Sequence, residues 1–104
     1  MRTIYLDYAA TTPLDPAVLR KMLPYFGPEY GNPSSMHSSG RRAGQAIAKA
    51  RKEVAAILGC SPGEVIFTGS GTESDNLAVK GIARANKAHG NHIMISAIEH
   101  KAIL

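Results

Sequence analysis

An α/β architecture is the fold class this sequence predicts, and three observations point to it. A β-branched and aromatic segment, Val65–Thr68, runs through a glycine turn into a helical apolar repeat. A second apolar segment, His92–Ala97, follows that helix. Strand, helix and strand in this order make a βαβ unit with parallel strands and a right-handed crossover. Parallel strands are normally covered on both faces, so two of them need neighbours. The sequence stops at "EHKAIL", where a further helix is expected to start, and the expectation is the amino-terminal part of a longer protein.

Taken in order, the first element is a helix in "LDPAVLRKMLPYFG", with Asp15 as cap and Pro16 in the first turn, where its missing N–H costs nothing. Pro24 should end or kink it. "GPEYGNPSSMHSSG" follows, fourteen residues dense in Gly, Pro, Ser and Asn, a loop long enough to suggest a functional one. From about Gly40 to Leu58, Ala43, Ile47, Ala50, Val54, Ile57 and Leu58 recur at helical spacing, which predicts an amphipathic helix with one buried face. Gly59 supplies its left-handed end. After the "SPGE" turn and the first strand, Leu77, Ala78, Ile82 and Ala85 mark the crossover helix, closed by Gly90. Residues 1–60 thus read as an arm, loop and helices, and residues 61–104 as the start of an α/β domain.

Twelve Lys and Arg against eight Asp and Glu give a formal charge of +4, with the cations gathered at Arg41, Arg42, Lys49, Arg51 and Lys52. That spacing is a solvated helix face, and without Trp or interleaved aromatics it argues against nucleic acid as a partner. Cys60, the single cysteine, can form no internal disulfide. "MRTIYLDY" has no apolar stretch of a secretory signal, and no apolar run approaches the ~20 residues of a membrane span. A cytoplasmic location without membrane partners is the expectation. No metal-ligand spacing is present.

The loop after the first strand of a βαβ unit opens onto the ligand crevice of an α/β sheet. In "FTGSGTESDN", Gly69 and Gly71 let backbone N–H groups approach an anion, and the helix that follows directs its positive end there. Ser70, Thr72 and Ser74 can add hydroxyls. A phosphate suits these groups, and so does an ordinary glycine turn with a Ser or Thr cap. A Walker A loop is excluded because no lysine follows Gly71 before Lys80. A dinucleotide loop is disfavoured by Ser74 in place of its third glycine and by the acidic Glu73 and Asp75, although Glu99 keeps it as an alternative.

"YLDYAATTP", "YGNPSSMHSSG", "FTGSGTESDN" and "IEHKAIL", in this order along nearly the whole chain, resemble the amino-terminal blocks of the cysteine desulfurases. These are pyridoxal-phosphate (PLP) enzymes of the class V aminotransferase group. "GNPSS" with a following histidine is similar to the branch serving iron–sulfur cluster assembly, more than to the selenocysteine lyases. The resemblance implies the aspartate-aminotransferase-type fold of PLP-dependent transferases, with residues 61–104 opening its large domain. It implies cofactor binding by Gly71 and Thr72 at the phosphate and by His100 against the pyridine ring, His100 being also the catalytic acid or base. Without it, His100 reads as a surface histidine, as do His37, His89 and His92. Gly69-Ser70-Gly71 departs from the family's Ser-Gly-Ala or Ser-Gly-Gly and leaves the fine path of the turn open.

The implied activity is conversion of L-cysteine to L-alanine with persulfide transfer to a sulfur acceptor or iron–sulfur scaffold protein, by a homodimer at full length. Lys101 is not expected to be the Schiff-base lysine, nor Cys60 the nucleophile, since the family carries both on later segments. Cys60 also follows a helix carboxyl end, whose negative dipole opposes a thiolate. The 104 residues alone are expected to be inactive. The alternatives are another class V PLP enzyme, such as a selenocysteine lyase, and a stand-alone phosphate- or nucleotide-binding module.

Overall fold

The computed structural model describes residues 3–104. The chain divides into two units, one running to Pro62 and the other from Gly63 to Leu104.

In the first unit, Tyr5 donates from its hydroxyl to the carbonyls of Asp7 (2.9 Å) and Thr11 (3.3 Å), closing the "DYAAT" turn on itself. Helix α1 spans Pro16–Met22. Asp15 caps it by accepting from the Ala17 N–H at 2.6 Å, and Pro16 stands in its first turn. The helix stops short of Pro24, whose ring and missing N–H would disrupt a further turn, and Leu23–Phe26 continue as one 3-10 turn.

Helix α2 spans Ser38–Leu58, two residues longer at its start than the apolar repeat indicates. The reason is its cap: Nδ1 of His37 accepts from the Gly40 N–H at 3.3 Å, a role the sequence signals for Ser, Thr, Asp or Asn. Gly59 ends α2 at φ 69°, as expected of the left-handed residue, and the Cys60 N–H returns to the Ala55 carbonyl at 3.0 Å. The preceding loop folds onto the first turns of α2. Asn32 accepts from the Ser35 N–H with its carbonyl and from the Ser34 N–H with its side chain. Arg41 donates to the Met36 carbonyl, and Arg42 pairs with Glu29 at 3.1 Å. Gly40, buried, lies so close beneath this loop that an added Cβ would sit 2.7 Å from the Asn32 carbonyl oxygen.

In the second unit, helix α3 spans Gly71–Ala85. It ends at Asn86, whose N–H and side-chain amide both bond the Ile82 carbonyl, and not at Gly90, which instead follows a 3-10 turn at Lys87–His89. "EHKAIL" forms a turn, with the Ile103 N–H on the His100 carbonyl at 2.9 Å, and not the start of a helix.

Two expectations are corrected. No strand forms among the described residues, so the βαβ unit and its parallel sheet are absent: Val65–Thr68 and His92–Ala97 lie outside regular structure. A parallel ladder needs neighbouring strands and cover on both faces, and here Ile66, Phe67, Ile93, Met94 and Ile95 are all exposed. The predicted burial of one α2 face is likewise not found. Ala55 is the buried apolar residue among those described, and Ile47, Ile57 and Leu58 remain exposed. No helix of the described residues is long and apolar enough to cross a membrane.

Candidate functional site

The turn at residues 68–74 is tied by its own side chains. Ser70 is the amino-terminal cap of α3, its hydroxyl accepting from the Glu73 N–H at 3.2 Å. Glu73 reaches back and accepts from the Gly69 N–H at 2.7 Å, a close variant of the capping box. Thr68 donates its hydroxyl to the Ser70 carbonyl at 3.0 Å and lies 2.6 Å from the Ser74 hydroxyl. Sequence reading took Ser70 and Ser74 as ligand donors and Glu73 as a charge crowding the turn. The structure instead engages all three in holding the turn's path.

The N–H groups of Gly71 and Thr72, at the first two positions of α3, and the Thr72 hydroxyl enter none of these side-chain bonds. The first N–H groups of an α-helix have no intrahelical acceptor, and the helix dipole concentrates positive potential there. Gly71 and Thr72 are both exposed, and the space a Cβ on Gly71 would enter is open. The arrangement can take an anionic oxygen on backbone amides and one hydroxyl, which fits a phosphate group.

His100 is exposed, and its Nδ1 accepts from the Ala102 N–H at 3.1 Å. Sequence reading missed the residue that joins this turn to α3. Asn76, half-buried, donates from Nδ2 both to the Thr72 carbonyl at 2.9 Å and to the Ala102 carbonyl at 3.0 Å. The signal available was its position four residues after Thr72, one helical turn on, but its second partner is 26 residues away and no local pattern reveals it. Lys101 is exposed, and Cys60 is half-buried just past the end of α2. A groove of about 320 Å³ along α3, lined by Glu73, Asn76, Leu77, Lys80, Gly81 and Arg84, includes none of Gly71, Thr72 and His100.

Known proteins resemble this chain in sequence and in path. A putative cysteine desulfurase IscS 1 of Bacillus subtilis (strain 168) is 50% identical over all of this chain and 27% of its own length. The cysteine desulfurase IscS of Anaeromyxobacter sp. (strain K) is 53% identical over 97% of this chain and 25% of its own length. Among solved structures, a NifS-like protein superimposes with a TM-score of 0.87 at 41% identity, over 96% of this chain and 28% of that one. The chain therefore spans about a quarter of the length of the relatives it matches. The family described as Aminotransferase class-V, generally PLP-dependent, matches residues 4–104, and the chain belongs to that family.

Proposed function

We propose that these residues form part of a PLP-dependent cysteine desulfurase that takes L-cysteine to L-alanine and passes the sulfur, as a persulfide, towards iron–sulfur cluster assembly. The observation that carries this reading is the pair of helix-start N–H groups belonging to the exposed residues Gly71 and Thr72, with the Thr72 hydroxyl, at the beginning of a fifteen-residue helix. In this reading they hold the cofactor phosphate. Ser70 and Glu73 keep the turn in shape, and Glu73's charge is committed to the Gly69 N–H.

Bound there, the cofactor would supply an electron sink for the substrate's α-carbon. His100 is the group of this chain suited to lie over its ring and to move a proton. Because Nδ1 already accepts from Ala102, the neutral ring carries its proton on Nε2, the nitrogen left to donate a hydrogen bond. L-Cysteine as substrate, a sulfur-acceptor or scaffold protein as recipient, a homodimeric assembly and a cytoplasmic setting complete the proposal. The cysteine substrate is supported by the similarity to the cysteine desulfurases IscS, and the other three are what the family resemblance implies.

A chimera in which these 104 residues replace the matched quarter of the Bacillus subtilis relative tests it. The chimera is expected to bind PLP and release alanine from cysteine, and Thr72→Val to weaken PLP binding about tenfold or more, the loss of one hydrogen bond to a charged group. The 104-residue polypeptide alone should release no sulfide or alanine above a cofactor blank. Turnover by it, or a Thr72→Val chimera with unchanged affinity, would refute the proposal.

A further inference from the structure

The carboxamide of Asn76 does more than decorate α3. Its two N–H hydrogens go to two different carbonyls, Thr72 in the first turn of the helix and Ala102 beyond His100. An amide turned the other way would set its oxygen against both, so the side chain has one satisfactory orientation. Asn86 gives the comparison within the same unit: its Nδ2 bonds the carbonyl four residues back, at Ile82, just as Asn76 bonds Thr72. That local bond is what an Asn on a helix makes by itself. The bond to Ala102 is additional.

Ala102 is held from both sides, its carbonyl by Asn76 and its N–H on Nδ1 of His100. The Ile103 N–H on the His100 carbonyl closes the same turn. A ring nitrogen that accepts a hydrogen bond carries no proton, which leaves the proton of the neutral imidazole on Nε2. We propose that Asn76 is a positioning residue: by holding the Ala102 carbonyl it restrains the backbone of residue 102, whose N–H sets the tautomer and direction of the His100 ring relative to the first turn of α3. The proposal rests on the reading of His100 as the proton-moving group and adds the residue that governs which of its nitrogens carries the proton.

The test reads the imidazole directly, by long-range proton–nitrogen NMR of His100 in the chimera with the Bacillus subtilis relative, without cofactor. The chimera with the wild-type chain should show the Nε2-protonated form in excess. Asn76→Ala and the near-isosteric Asn76→Asp should each reduce the ratio of the two tautomers about fivefold, the factor one ordinary hydrogen bond gives, while Asn86→Ala leaves it unchanged. Equal tautomers in the wild-type chain, an unaffected ratio in the Asn76 variants, or an equal effect from Asn86→Ala would each overturn the proposal.

A second measurement needs no variant. The side-chain amide protons of Asn76 should exchange with solvent more slowly than those of Asn86, and equal rates would count against the bond to Ala102. PLP binding by the wild-type and Thr72→Val chimeras tests the cofactor reading separately. An Asn76-dependent tautomer with no PLP binding would remove that reading and leave the positioning role standing.

Discussion

Gly40 is the residue whose replacement should be felt most sharply. A Cβ there would meet the Asn32 carbonyl oxygen at 2.7 Å and the Ser35 Cβ at 2.8 Å, with loop backbone on one side and helix on the other. Gly40→Ala is expected to cost about 1–3 kcal/mol, the usual range for overpacking, and to speed amide exchange at Ser35, whose N–H bonds Asn32. Gly27→Ala, where nothing lies within 4 Å, serves as the neutral comparison. The sequence marks Gly40 only as the edge of a helical repeat; that a loop lies across it depends on where residues 32–35 go. His37 escaped notice for a similar reason, since an imidazole caps a helix only when its ring nitrogen happens to face the amide three residues on. Asp15 and Gly59, by contrast, act through their own chemistry and were legible.

The expected helices form and the expected strands do not among the described residues, because their hydrogen bonds close at different ranges. A helix satisfies its backbone within four residues, so α1, α2 and α3 need only their caps and apolar spacing. Val65–Thr68 and His92–Ala97 have strand composition, but a ladder is a property of a pair and its neighbours. The carboxyl end of α2 offers an element-level prediction. Gly59→Ala forces a side chain into φ 69° and should destabilise that end by about 1 kcal/mol. Faster exchange of the Cys60 amide, bonded to the Ala55 carbonyl, would report it, whereas Gly63→Ala should leave that amide unchanged. At the candidate site, composition revealed the glycine turn and the helix after it, while the division of labour among Ser70, Glu73 and Ser74 emerged only from their geometry.

Over the whole chain, apolar side chains outnumber the places that could cover them. Met94 is 97% exposed, Ile98 94% and Ile57 85%, while Ala55 is the one apolar residue buried among those described. Folding free energy comes chiefly from burying such groups, and without it the entropy of ordering the backbone is poorly offset. The 104-residue polypeptide is therefore expected to bind anilinonaphthalene sulfonate and to melt over a broad range when followed by circular dichroism. A sharp, two-state transition without dye binding would favour a self-sufficient phosphate-binding module instead. The turn before α3 stands apart from this looseness, since four side chains already lace it together before any ligand arrives. A phosphate monoester docking there would have little segmental motion left to quench, so inorganic phosphate should be able to compete for the same place, and selectivity among phosphorylated compounds must come from whatever grips the rest of the molecule.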